Sequence, residues 1–270
     1  MKRFLLLSLM VLFIYKNFLV AQEFDWQPQP TKAAFMIIFA HPDDEGIWFG
    51  GAIPYYAVVK KLPTVAICMT TTSWLPERKS EMECAIWKYG MKNPPIFADF
   101  PDCCYKTDIV RNWEAWGGQE KVVGYLTEQI RKYRPDVILT HGFNGEYGHP
   151  NHMVTAYATV EAVFSAMDST AYTEQLQNLA VWQVPKLYIH NFPNYGNITT
   201  HSWRMKCKEL GDKSPKEVAN EALQCHVSQG ENKVRDPQYT ENFGLYFTTV
   251  GPDSIAKDDF FEHIDISKYK

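Results

Sequence analysis

Phe35-Met36-Ile37-Ile38-Phe39-Ala40-His41-Pro42-Asp43-Asp44-Glu45 is the stretch on which the reading of this chain turns. Its first five residues are an unbroken apolar run of strand length, the signature of a strand covered on both faces in a parallel sheet. An imidazole, a proline and three carboxylates follow at once. About a hundred residues later a second apolar run precedes Gly148-His149-Pro150-Asn151-His152. Two histidines and a carboxylate from two such loops hold a divalent ion and leave a position open for water, which a catalytic zinc needs and a structural zinc avoids. The pattern reads as a split metal site in a hydrolase.

Working outward, apolar runs alternate with helical patterns. Strands are expected near Ala34 to Phe39, Thr64 to Met69, Ile96 to Phe100, Val137 to Thr140 and Lys186 to His190. Helices are expected near Glu45 to Lys60, Pro76 to Tyr89, Gln119 to Tyr133 and His152 to Ala166, with one more at Pro215 to His226. Gly90 suits a helix C-terminal cap and Pro135 a helix stop. Met167 to Gln183 reads as a polar connection, and the rest beyond Asn191 as a mixed, aromatic-rich tail. The order implies an α/β fold, a Rossmann-like three-layer sandwich with a mostly parallel sheet and helices on both faces. In such sheets ligands bind outside the carboxyl ends of the strands, where both histidine motifs fall.

Lys2 and Arg3, the apolar stretch Phe4 to Tyr15 and Leu19-Val20-Ala21 have the layout of a secretory signal peptide spanning residues 1–21, with a single domain expected over 22–270. The apolar stretch is shorter than the roughly 20 residues a membrane-spanning helix needs, so a membrane role is expected only through this segment if it is uncleaved. Its removal takes three bases and no acids, leaving 24 bases against 31 acids. That balance argues against nucleic acid or another polyanion as partner, and export to the periplasm or exterior permits disulfides. Cys68, in a strand-like run, and Cys84, on an amphipathic helix, are expected as buried thiols. Cys103-Cys104 and the pair Cys207 and Cys225 are the expected disulfide candidates.

Adjacent residues leaving a strand point in different directions, so one of Asp43 and Asp44 can bind the ion while the other faces its water. His149 and His152, three apart at a helix start, divide in the same way between ion and substrate. The water proton passes to the carboxylate, hydroxide attacks an acyl carbonyl, and a protonated group serves the leaving nitrogen.

The Ala40 to Glu45 run, the Arg78-x-x-Glu81-x-x-x-Ala85 helix, the Phe100-Pro101-Asp102 turn, the Gly145 to His152 run and the Ala222-x-x-x-His226-x-Ser228-Gln229 segment together resemble the LmbE/PIG-L family of zinc-dependent N-acetylglucosamine deacetylases. The resemblance implies His41, Asp44 and His152 as metal ligands and Asp43 as general base. It implies Tyr147 and His149 as groups that stabilise the oxyanion and assist departure of the amine. Arg78 and Asp102 would contact substrate, and His226 would line the pocket; a helix-face arginine, a turn residue and a helix end are the plainer readings of these three. Where the family usually has His-Pro-Asp-His, the third position here is Asn151, which keeps an acceptor but loses a charge. Zn2+ is the implied cofactor, with Fe2+ or Co2+ accepted by the same ligands. The implied substrate is a small molecule or glycan bearing an N-acetyl group.

His141 is expected as a neighbour of the metal, and His190, His201 and His263 as structural or solvent-exposed. Trp74, Trp113, Trp116, Trp182 and Trp203 lie in or near predicted loops, where a tryptophan can form a sugar subsite. The loop Asp102 to Gly118 is long enough to act as a lid or specificity element. Two alternatives keep the fold: an amidase for a non-sugar N-acyl amine, and a catalytically silent sugar-binding relative. A nucleotide site is disfavoured, since Gly50-Gly51 makes no G-x-G-x-x-G turn and there is no P-loop.

Overall fold

The apolar run becomes strand β1 (Phe35–Phe39), fully buried along its length. Alternate side chains leave opposite faces of a strand. Phe35, Ile37 and Phe39 accordingly join one core cluster and Met36 and Ile38 the other. Each such burial stabilises the fold by roughly 1.5–3 kcal/mol. The computed structural model describes residues 24–103, 108–193, 198–199, 201–230, 242–254 and 258–269; the expected signal segment 1–21 lies outside them.

Strands β2 (Thr64–Thr71), β3 (Ile96–Pro101), β4 (Val137–Thr140) and β5 (Lys186–His190) fall where the sequence puts them, and β6 (Ile198–Thr199) and β7 (Asn242–Thr248) add an edge. Among the described residues the sheet has seven strands, in the order β3-β2-β1-β4-β5-β7-β6. β1 pairs in parallel with β2 and with β4, and β5 pairs antiparallel with β7. The chain therefore builds outward from β1 in one direction and then, from β4, in the other. The gap beyond the carboxyl ends of β1 and β4 is the topological switch point where open α/β sheets bind ligands.

Helices cover both faces. α2 (Glu77–Lys88) and α7 (Pro215–Leu223) pack on the Phe35 face, and α4 (Gln119–Tyr133) and α6 (Pro150–Met167) on the Met36 face. The expected helix Glu45 to Lys60 is instead two pieces, α1 (Asp44–Ile47) and a π-helical turn Pro54–Val59. Gly50, at φ 50°, and Pro54, which has no N–H to continue an earlier turn, account for the break. The loop Asp102 to Gly118 is likewise partly helical: α3 (Ile109–Ala115) starts at Asp108, whose side chain accepts from the Arg111 N–H. Met167 to Gln183 contains a 3₁₀ turn at Thr173–Gln177. The mixed tail supplies β7, hidden from a pattern search by Gly244, where a Cβ would come 2.1 Å from the Phe192 carbonyl oxygen. Among the described residues, no helix is long and apolar enough to cross a membrane.

The cysteine expectations need correction. Cys84 on α2 is joined to Cys225, just past α7, with a Cα–Cα distance of 5.8 Å, while Cys207 is a free thiol. α2 and α7 pack side by side, which brings the two sulfurs together although they are 141 residues apart in sequence. Cys68 is a buried thiol as expected; Cys104 lies outside the described residues. Closing so long a loop stabilises by about 2–5 kcal/mol in the chain-entropy account. We expect the Cys84→Ser/Cys225→Ser chain to melt roughly 5–15 °C lower in a thermal scan, and peptide mapping without reductant to recover the Cys84–Cys225 link.

Candidate active site

β1 ends against β2: the Ala40 carbonyl accepts from the Thr70 N–H and from Thr70 Oγ1, both at 2.8 Å. The chain then turns sharply. Asp44 Oδ2 accepts from the His41 N–H at 2.7 Å and lies 3.1 Å from His41 Nδ1, which locks the two side chains together. Between them Asp43 has φ 113°, a conformation rare outside glycine, held by its N–H donating to Glu45 Oε2 at 2.8 Å. Glu45 is itself buried, accepting from Tyr89 and paired with His226 Nε2 at 2.8 Å.

The second motif leaves β4 through His141 and enters α5 (Gly145–Gly148), a short irregular turn in which Glu146 has φ 60°. That backbone sends the Glu146 carboxylate inward. It meets His152 Nδ1 at 2.6 Å, His190 Nδ1 at 2.9 Å and His141 Nδ1 at 3.0 Å, and accepts from the Gly142 N–H at 2.8 Å. Burial disfavours its charge, but these imidazoles outweigh the penalty and hold its carboxyl well below the usual range. With Nδ1 committed to Glu146, His152 presents the Nε2 lone pair. His149 caps α6, its Nδ1 accepting from the Asn151 N–H at 3.2 Å, and Pro150 starts the helix.

The two motifs meet. His41 Nδ1 lies 3.1 Å from His152 Nε2, and Asp44 Oδ2 lies 3.1 Å from the former and 3.4 Å from the latter. Donors of a tetrahedral ion at bonds of about 2.0–2.2 Å stand roughly 3.3–3.6 Å apart, so the three atoms are spaced close to what a zinc-sized cation requires. The chemistry agrees: a carboxylate oxygen and an imidazole lone pair are acceptors facing one another, and positive charge between them relieves the repulsion. Burial opposes the charged form of His41, yet Asp44 and Asp102 push its pKa up to about 10. Burial lowers His152 to about 4. Asp44 resists burial because His152, His41 and His141 hold its carboxyl well below the usual range. A proton on His41 thus stands where a divalent cation would.

Around this cluster is a cavity of about 310 Å³ lined by Asp43, Arg78, Asp102, Tyr147 and His149, with Trp48 and Gln229. Asp102 Oδ1 sits 3.3 Å from His41 Nε2 and accepts from Asn151 Nδ2 at 3.1 Å, so it orients a candidate ligand as well as facing the cavity. Asn151 Nδ2 also lies 3.1 Å from His41 Nε2, at the position where the family's aspartate is expected. Arg78 is not a helix-face arginine. It turns inward, donates to the Pro42 carbonyl, and lies 3.3 Å from Asp43 and 3.6 Å from Asp102. Burial and the charge of Asp44 push the Asp43 carboxyl up to about 7 against the pull of Arg78. Burial and the neighbouring His41 and His152 lower His149 to about 3. Tyr147, 65% exposed, stacks on Trp48 at 5.8 Å.

His226 requires a correction: its ring is buried against Glu45, behind the Asp43 turn, and Gln229 is the residue of that segment that reaches the cavity. His141 is the expected neighbour, with Nε2 accepting from the Ala40 N–H and lying 3.3 Å from Asp44. His190 is buried against Glu146, and His263 lies at the surface beside Glu262; the side chain of His201 is outside the description. Sequence reasoning gave no role to Glu45, Trp48 or Glu146. Glu146 lies within the Gly145 to His152 run, but only its left-handed backbone turns it toward three imidazoles.

Residues 36–163 match the family model described as PIG-L, GlcNAc-PI de-N-acetylase, a span that contains both histidine motifs and stops before β5. Among curated proteins the chain is 27% identical over 183 residues to 1D-myo-inositol 2-acetamido-2-deoxy-alpha-D-glucopyranoside deacetylase 2 of Saccharopolyspora erythraea. The match covers 58% of this chain and 65% of that protein, so the chain spans just under two thirds of its relative's length. The fold is that of the N,N'-diacetylchitobiose deacetylase from Pyrococcus horikoshii (TM-score 0.57, 19% identity, 86% of this chain and 91% of that one). It is equally that of the 4-carboxy-2-hydroxymuconate hydratase from Pseudomonas putida KT2440 (TM-score 0.54, 16% identity, 83% and 99%). Fold alone does not choose the reaction.

The cluster sets a linkage. At neutral pH a cation held by this cluster would have to displace the His41 proton, because His41 is charged below about 10 while His152 is neutral above about 4. Affinity for Co2+ or Zn2+ therefore rises with pH in this window, by roughly tenfold per unit, with one proton released per ion. Competition titrations at several pH values check this. His41→Ala is expected to abolish stoichiometric binding and Glu146→Gln to weaken it about 10- to 100-fold; a pH-independent affinity contradicts the assignment.

Proposed function

The chain carries a PIG-L/LmbE family domain over residues 36–163, and on that premise we propose that it is a metal-dependent hydrolase removing the N-acetyl group from an N-acetylglucosamine-type sugar or glycoconjugate. The observation that carries this reading is the convergence of His41, Asp44 and His152 within 3.4 Å of one another, in a cavity that also presents the Asp43 carboxyl. His41, Asp44 and His152 are the residues that would hold a divalent cation, zinc in our reading, with Fe2+ or Co2+ as substitutes. Bound there, it would acidify a water and polarise the acyl oxygen.

The chain's own groups account for the proton movements. Asp43, with its carboxyl pushed up to about 7, takes the proton of the attacking water and is acidic enough to return it to the departing nitrogen. His149 is neutral with Nδ1 engaged by the Asn151 N–H, which leaves Nε2–H as a hydrogen-bond donor for the developing oxyanion. This assigns His149 to oxyanion stabilisation and gives delivery of the proton to Asp43. Tyr147, at the rim, offers its hydroxyl to the same oxyanion. Arg78 fixes the Asp43 carboxylate and Asp102 fixes the His41 ring.

We further read residues 1–21 as an export signal, so that the protein acts on glycans outside the cytosol. The Cys84–Cys225 disulfide supports an oxidising destination. The acidic balance of the chain favours a neutral or cationic substrate over nucleic acid.

Acetate release from N-acetylglucosamine and its oligomers by zinc-loaded protein tests the reading. Asp43→Asn is expected to lower kcat about 10²- to 10⁴-fold while one equivalent of metal stays bound; full activity in that variant would refute the role. Because Asp43 acts in its ionised form, kcat/KM is expected to rise with pH through about 7 and then level. Asn151→Asp adds a carboxylate 3.1 Å from His41, so its pH–rate profile is expected to differ from that of the parent; superimposable profiles would count against a role for this position in tuning the site.

A further inference from the structure

His226 does not line the cavity around the cluster, yet its ring is fully buried. Its Nε2 is 2.8 Å from Glu45 Oε1, and among the described residues its Nδ1 makes no hydrogen bond. Glu45 is equally buried, and its second oxygen, Oε2, accepts from the Asp43 N–H at 2.8 Å. We propose that His226 is a positioning residue for the general base: by holding the Glu45 carboxylate it fixes the Asp43 turn at φ 113°, and with it the aim of the Asp43 carboxyl into the cavity. The inference rests on the hydrolase reading, in which Asp43 is that base.

Three observations carry it. The line of contacts is the first. A residue other than glycine stays at such a φ only where its surroundings hold it, and the contacts that hold Asp43 include Arg78, 3.3 Å from its carboxylate at the cavity, and Glu45 on its peptide N–H. The second is energetic. A buried ion pair stabilises a fold no better than packed apolar side chains of similar volume, because desolvation cancels its attraction. The His226–Glu45 pair is therefore accounted for by what it orients: a carboxylate engaged by the ring on one oxygen offers the other, in a fixed place, to the Asp43 N–H. The third is rigidity. The segment that carries His226 is fastened to α2 on both sides of the ring. Cys225 is bonded to Cys84, and Ser228 donates to Glu81 through its N–H and its hydroxyl, both at 2.7 Å. α7 also meets the Asp43 turn closely, for a Cβ on Gly46 would come 2.6 Å from Leu223 Cγ and from the Tyr89 hydroxyl. A ring clamped in this way imposes its position on Glu45 instead of adapting to it.

The test is a double-mutant cycle in zinc-loaded full-length protein, read by acetate release from N-acetylglucosamine and N,N'-diacetylchitobiose. His226→Ala is expected to lower kcat about 10- to 100-fold, with KM within about threefold and one equivalent of metal still bound. His226→Gln, whose amide N–H can donate to Glu45, should recover most of the loss. In an Asp43→Asn background the same His226→Ala change is expected to cost less than about threefold, since a base that is absent cannot be misplaced. Equal losses in the two backgrounds, an unchanged kcat in folded His226→Ala, or a crystal structure of that variant with Asp43 still near φ 113° overturns the positioning role and leaves the hydrolase reading standing. A relaxed Asp43 turn in that structure, with no acetate released by the parent from either sugar, supports the positioning and refutes the deacetylase. Should His226→Ala not fold, Glu45→Gln takes its place in the cycle, with the same loss expected in the parent and the same small effect in Asp43→Asn; equal losses there overturn the role as well.

Discussion

Buried negative charge is the constraint around which this molecule is organised. Asp44, Asp102, Glu45 and Glu146 all lie below a tenth of full exposure or at its edge, within one region beyond the carboxyl ends of β1 and β4. Carboxylates survive such burial only when paired. Here the pairing is done by histidine rings from separate elements: His41 after β1, His141 after β4, His152 on α6, His190 at the end of β5 and His226 beyond α7. Each ring that compensates a carboxylate is also oriented by it. At the centre, where acceptor meets acceptor, a proton or a cation has to complete the arrangement.

The backbone bears part of the cost. Asp43 and Glu146 both occupy positive φ without being glycine, at the two turns that deliver the site. Conformations of this kind persist where surrounding hydrogen bonds over-determine them, which Glu45 does for Asp43 and the three imidazoles do for Glu146. The same turns send Asp43 into the cavity and Glu146 away from it, so neighbouring carboxylates acquire opposite uses.

Much of this was legible beforehand, and for identifiable reasons. The five parallel strands and four long helices announce themselves through unbroken apolar runs and helical periodicity. The histidine motifs stand out because imidazoles and carboxylates directly after strands have few structural uses. What escaped the sequence depends on tertiary contact. β7 is interrupted by Gly244, whose lack of a side chain is required by Phe192, 52 residues earlier in sequence. The partner of Cys84 is fixed by how α2 lies against α7, and the burial of His226 by a carboxylate 181 residues earlier. Glu146 lay within the motif, yet its importance comes from a single left-handed residue that composition does not reveal.

The Cys84–Cys225 link closes a covalent ring that contains Asp102, His149 and His152 but leaves His41, Asp43 and Asp44 outside it. β1 nonetheless lies between β2, which is also outside the ring, and β4, which is inside. A single proteolytic nick in a surface segment of the ring between β3 and β4 would therefore yield a two-piece molecule that migrates as one until reduced, with its non-covalent seam running through the sheet between β1 and β4.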